Sequence, residues 1–238
     1  MVETAFHLLQ TSRVLFLSVF LLSLLIALEA GIRLGWHRRA RIGDQADEGA
    51  GLVVGSMFGL MAFVLALNLS NATARHDLRM TATLEEVNAI GTAMMQAEAV
   101  GGDQAASMVA NLKSYLAMRY DYVRATRFSG EIARLNDETA ALQNKIWADL
   151  SARVAASPTP PVTSLMNAIN NAFDSSTAMR LAMEYRMPMQ VIALLLLLSV
   201  TGIAAVGYHF GLNKRRGRAP GVLLAVLWGM LVVQIIDI

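Results

Sequence analysis

Residues 49–69 read GAGLVVGSMFGLMAFVLALNL and contain no charged side chain. A helix of about 20 apolar residues is long enough to cross the hydrocarbon of a bilayer. We therefore predict a membrane-spanning helix here, called the second span. The whole chain is 55% hydrophobic and 16% charged, with a mean hydropathy of +0.46. This composition indicates a membrane protein and argues against a disordered, fibrous or disulfide-based one.

Three further apolar stretches have the character of spans, from Val14 to Ile32, from Pro188 to Phe210 and from Val222 to Ile236. Between the second and third spans the pattern is helical throughout, without strand alternation. The predicted fold is an all-α membrane protein with four transmembrane helices. Two hairpins, residues 1–70 and 188–238, flank an extramembrane helical domain of residues 71–187.

Within this domain the first helix is expected to continue straight out of the second span and to end at Gly101-Gly102. Its residues Leu84, Val87, Gly91 and Met94 share one face. A later helix carries a heptad-like seam that requires a partner helix. The seam consists of Ile132, Leu135, Thr139, Leu142, Ile146 and Leu150.

The two short loops that join consecutive spans lie on one side of the membrane, and both are rich in cations. These cations are Arg33, Arg38, Arg39, Arg41, Lys214, Arg215, Arg216 and Arg218. Fewer cations flank the spans on the opposite side. The positive-inside rule therefore predicts a multi-pass inner-membrane protein with cytoplasmic loops, and with the helical domain and both termini in the periplasm.

No residue pattern predicts catalysis. The four histidines are scattered, none shares a helix face with a carboxylate at metal-ligand spacing, and no glycine-rich phosphate loop follows a strand. The chain has no cysteine, and a net charge of +2 is too small for a nucleic-acid-binding surface. We expect no enzyme, no metal, no cofactor and no nucleic-acid partner.

Gly51, Gly55 and Gly59 recur at a spacing of four in the second span. In lipid, a face of small residues allows two helix backbones to approach closely. Two interpretations are open, packing against the first span or packing between subunits.

A polar stripe runs out of the same span through Asn68, Asn71, Arg75 and Arg79, at spacings of three and four. An apolar row continues it into the membrane through Phe58, Met61 and Leu65. In a symmetric oligomer with this face on the axis, an apolar constriction would lead into amide and guanidinium rings, which favour anions. The alternative is a helix that crosses the interface, with its arginines extending to lipid phosphates.

The runs Gly59–Leu67 (GLMAFVLAL), Ala74–Asp77 (ARHD) and Glu85–Ala93 (EEVNAIGTA) resemble the bestrophin-like family of bacterial and plant membrane proteins. The closing Ile235–Ile238 resembles the start of that family's Asp-x-Asp-Arg-Pro segment, so we expect a chain truncated at its C-terminus. The resemblance implies a relation to bestrophins, pentameric anion channels whose second span lines the pore with an apolar neck. Phe58, Met61 and Leu65 would match that neck.

The predicted function is therefore a homo-oligomeric, anion-conducting membrane channel lined by the second span. Its partners would be the lipid bilayer, further copies of the chain in a pentamer, and small inorganic anions. The alternative is a membrane-anchored sensor or scaffold whose helical domain binds a partner or ligand.

Overall fold

The computed structural model describes residues 13–42, 48–125, 131–185, 187–213 and 218–237. These residues form helices and no β-strand. The helices are α1 (Arg13–Ile42), α2 (Glu48–Val100), α3 (Asp103–Arg124), α4 (Glu131–Ala156), α5 (Pro160–Glu184), α6 (Met189–Leu212) and α7 (Arg218–Asp237). Four helices, α1, α2, α6 and α7, carry stretches long and apolar enough to cross a membrane. The prediction of an all-α protein with four candidate spans is confirmed.

The chain divides into two compact units. One, the membrane unit, contains the described residues up to His76 and those after Tyr185. The other, the helical unit, is Asp77–Tyr185. The divisions fall close to the predicted ends of the helical domain at residues 71 and 187.

Helix α2 passes from one unit into the other as a single helix of 53 residues. The predicted continuation of the second span into the helical domain is thus confirmed. The helix ends where predicted, because Gly101 and Gly102 have φ values of 71° and 82°. This left-handed conformation costs glycine little and other residues more.

The membrane unit is organised by a close contact between the backbones of α1 and α6. A methyl group at Gly31 would collide with the carbonyl oxygen of Ala204, and one at Gly207 with the carbonyl oxygen of Leu28. Gly35 and Gly211 make the same kind of approach, to carbonyl oxygens of the facing helix. In lipid, where apolar burial contributes little, such close packing holds helices together.

The glycines singled out from the sequence do not make this contact. Apart from the adjacent backbone of α2 itself, no described atom would lie within 4 Å of a methyl group at Gly55 or Gly59, and one at Gly51 would meet the His209 ring at 3.4 Å. Among the described residues, the Gly55 and Gly59 face does not contact the first span, so packing between subunits stays the prediction for these two glycines. No other helix of the described chain covers that face.

A polar contact joins α6 to α7 inside the membrane unit. The indole Nε1 of Trp228 donates to Ser199 Oγ at 2.9 Å, and Ser199 Oγ donates to the carbonyl of Leu195 at 2.6 Å. Both side chains are buried. The contact satisfies an N–H group that would find no water in the hydrocarbon.

The helical unit has its own core, to which α2, α3, α4 and α5 contribute. On α4, Leu135, Thr139, Ile146 and Leu150 are buried, as their heptad-like spacing predicts. The loop of residues 157–159 separates α4 from α5, and Pro160 begins α5 at a position where its missing N–H costs nothing.

Gly207→Ala is expected to destabilise the membrane unit by about 1–3 kcal/mol, because the methyl group meets backbone that cannot move aside. The measurement is unfolding in mixed micelles, followed by circular dichroism. Gly55→Ala is the matched control, since it makes the same change of helix propensity in open space. Equal stability of the two variants would contradict the close α1–α6 contact.

Candidate pore-lining helix

Among the four spans, α2 is the least covered by its own chain. Within the most apolar 18-residue stretch of each span, 11% of the residues are buried in α2, against 39% in α1 and 33% in both α6 and α7. The remaining surface of α2 faces lipid or another protein.

The predicted pore-lining stripe lies on the inward face of α2. Met61, Asn68 and Arg75 are only 1%, 7% and 8% exposed, and the Met61 side chain contacts Gly202 of α6. Phe58, Leu65 and Arg79 are half-buried, whereas Asn71 is exposed. A side chain covered within its own subunit does not suit a path between subunits, so the burial of Met61, Asn68 and Arg75 argues against their predicted role in the lining.

Two polar members of the stripe, Asn68 and Arg79, have partners inside the chain. Asn68 Nδ2 donates to the carbonyl of Val64 at 2.8 Å. Within the helical unit, Arg79 donates from Nε to Ala182 O at 3.3 Å and from Nη2 to Tyr185 O at 3.2 Å. These carbonyls lie at the C-terminal end of α5, where a cation is favourable. Arg79 therefore stabilises a helix end.

The opposite face of α2 is exposed along most of its length. Starting at Leu52, exposed residues recur at alternating steps of four and three up to Val87, the spacing of a coiled-coil seam. We call this row the outer seam. It consists of Leu52, Ser56, Gly59, Phe63, Ala66, Ser70, Thr73, Asp77, Met80, Leu84 and Val87.

The character of the outer seam changes along the helix. In the membrane unit most of its residues are small or carry a hydroxyl. In the helical unit it becomes apolar, with Met80, Leu84 and Val87 exposed by 65%, 60% and 46%. A row of large exposed apolar side chains is typical of a surface that lipid or another protein covers. The shared face of Leu84 and Val87 was visible in the sequence, but its outward direction was not.

The helical unit fixes the rotation of α2 through a buried ion pair. Glu86 and Arg119 are both nearly inaccessible, and Arg119 Nε lies 2.5 Å from Glu86 Oε1. The Arg119 guanidinium also lies 4.6 Å from the centre of the Tyr122 ring. Because Glu86 is held inside while Leu84 and Val87 are exposed, the pair keeps the helical-unit part of the outer seam facing outward.

A buried tyrosine packs in the same unit. Tyr115 is fully buried, and its hydroxyl accepts a hydrogen bond from Gln143 Nε2 at 2.9 Å. Burial raises the pKa of Tyr115 above its ordinary value of 10.0, and it does the same for Tyr122. Both phenols are therefore neutral donors and acceptors at physiological pH.

Glu86→Ala is expected to destabilise the helical unit by about 3 kcal/mol or more, because it leaves the Arg119 charge buried without a partner. Hydrogen exchange of residues 77–185 in the full chain measures this loss. Glu85→Ala, at the exposed neighbouring position, is the control and is expected to change stability by less than about 0.5 kcal/mol. The double variant Glu86→Leu, Arg119→Met should recover much of the lost stability. If Glu86→Ala did not destabilise the unit and the double variant recovered nothing, the ion pair would not be the constraint on α2.

The chain matches no family model, no curated protein and no solved structure. The resemblance to the bestrophin-like family stays a prediction from the residues that carry it.

Proposed function

We propose that the chain forms a homo-oligomeric membrane channel for small inorganic ions, with the outer seam of α2 facing the symmetry axis. The observation that carries the proposal is the exposed apolar row Met80, Leu84 and Val87, which continues the seam of the span into the helical unit. Such a row is stable in water when another protein surface covers it. Its heptad spacing suits another copy of the same helix.

In a ring of copies, neighbouring subunits pack against the sides of this row and enclose a path along the axis. Rotational symmetry places the same seam of every subunit on the axis and leaves no open end for further association. A pentamer is the number that the bestrophin-like resemblance implies. Along such a path Phe63 would form one apolar ring inside the membrane, and Met80 and Leu84 would form others beyond it. Apolar rings can gate conduction by excluding water.

The chemistry of the outer seam favours cations. Ser56 Oγ and Thr73 Oγ donate to backbone carbonyls of their own helix, at 2.9 and 3.0 Å, so their oxygen lone pairs remain as acceptors. Asp77 adds an exposed carboxylate. The expectation of anions rests on Arg75 and Arg79 at the axis and on the bestrophin-like resemblance, whereas Arg75 is buried within the chain and Arg79 is half-buried. We therefore propose a preference for small inorganic cations.

We also propose an inner-membrane location, with the helical unit and both termini in the periplasm. The support is the cation-rich loop ends, of which Arg33, Arg38, Arg39, Arg41 and Arg218 are described, while Lys214–Arg216 lie outside the described residues.

The alternative, a membrane-anchored sensor or scaffold, is favoured by a cavity in the helical unit of about 170 Å³. Native mass spectrometry separates the two, because a sensor needs no axial ring. A monomer or dimer would favour the sensor and remove the axial path.

Leu84→Cys is expected to form disulfide-linked oligomers under mild oxidation in membranes, because symmetry brings copies of residue 84 together at the axis. The chain has no cysteine of its own, so every link reports the introduced one. The control is Glu85→Cys, exposed on the next residue but off the seam. It also tests topology, since a membrane-impermeant thiol reagent should label it in spheroplasts. Equal cross-linking at positions 84 and 85 would reject the axial seam.

Asp77→Arg is expected to shift the reversal potential of reconstituted protein towards the anion equilibrium potential under a salt gradient, because it reverses a ring of charge. Arg75→Gln is the matched test of the inward face and should leave the reversal potential unchanged. If only the Arg75 variant shifted the reversal potential, the ion pathway would run along the inward face of α2. Absence of any conductance would favour the sensor.

A further inference from the structure

A cavity of about 170 Å³ lies at the end of the helical unit where α2 turns into α3. Its floor is apolar and includes the buried side chains of Ala97, Met108 and Leu165. An apolar cavity of about 150 Å³ is large enough to hold benzene. The cavity therefore has room for a small molecule with a short aliphatic or aromatic body.

Charges of both signs stand at the cavity, on one face of α4. Asp149 and Arg153 both line it and are four residues apart, so they are neighbours on the helix surface. Ser107 of α3 adds a hydroxyl to the lining. A ligand that fits all of these features carries a cationic group, an anionic group and an apolar body.

Existing contacts hold both charged groups in place. Arg153 Nη2 donates to the carbonyl of Gly101 at 2.8 Å, which ties α4 to the turn between α2 and α3. Asp149 Oδ2 accepts from Asn111 Nδ2 at 3.2 Å, and Lys145 Nζ donates to Asn111 Oδ1 at 3.2 Å. Asp149 is exposed and a carboxylate has about four acceptor sites, so it can also accept from a ligand, while the half-buried Arg153 lines the cavity beside it.

We propose that this cavity binds a small zwitterion with an aliphatic body, the class of free aliphatic amino acids. The ligand's ammonium pairs with Asp149, its carboxylate pairs with Arg153, and its side chain lies on the floor of Ala97, Met108 and Leu165. The site is contained in the helical unit and does not depend on conduction. If the ligand did not bind, the proposed channel would still stand. If the protein did not conduct ions, the proposed ligand site would still stand.

The test is calorimetric titration of the purified full chain with L-valine and three analogues, each lacking one feature. Isobutylamine lacks the carboxylate, isovalerate lacks the ammonium, and glycine lacks the apolar body. Losing one charge-assisted contact should weaken binding about tenfold. The expected order is therefore valine tighter than each analogue. No binding of valine at millimolar concentration, or equal binding of isobutylamine, would overturn the proposal.

Asp149→Asn should weaken valine binding about tenfold, by removal of the charged partner. Asp137→Asn is the matched control on the same helix, exposed and outside the cavity, and should bind as the natural chain does. Ala152→Leu keeps both charges and places extra volume at the cavity, so it should also weaken binding. Unchanged affinity in both Asp149→Asn and Ala152→Leu would place valine elsewhere and overturn the assignment.

Discussion

The rotation of α2 about its own axis is the constraint on which the rest of the structure depends. In the membrane unit, Met61 contacts Gly202 of α6 and fixes which side faces the chain. In the helical unit, the buried Glu86–Arg119 pair does the same. Because these contacts hold one side of α2 against the rest of the chain, the residues on the other side of the helix are left exposed. The outer seam is therefore a result of packing on the other face, and its direction follows from contacts made far apart along the helix.

The outer seam does not simply become polar where the apolar span ends. Inside the span it carries Leu52, Ser56, Gly59, Phe63 and Ala66, and beyond the span Ser70, Thr73 and Asp77 are followed by Met80, Leu84 and Val87. Water would favour polar side chains at the last three positions. The ring of copies that we propose would remove this conflict, because neighbouring subunits would pack against these apolar side chains.

The positions of the helices could be predicted from the sequence, but the side of α2 that is buried could not. Apolar length identified four spans, paired glycines marked the end of α2, and the spacing on α4 identified its buried seam. Both faces of α2 show steps of three and four with small residues on each, so periodicity alone could not tell the inward face from the outward one. The glycines that bring α1 and α6 together lie in two spans far apart in the chain, and no local pattern in either span identifies the helix that it packs against. The same separation hid Arg119 from Glu86, since an ion pair across 33 residues leaves no local pattern.

The contact of Gly31 with the backbone beside Gly207 also sets an order of events during synthesis. The two glycines are separated by the whole helical unit, so α1 enters the bilayer long before α6 exists. At ordinary rates of translation the interval is about ten to thirty seconds. During that time the bare backbone surface of α1 has only lipid, the second span or an insertion factor to cover it. The contact between α1 and α6 can form only after the helical unit has been synthesised, so closure of the membrane unit waits for the residues in between.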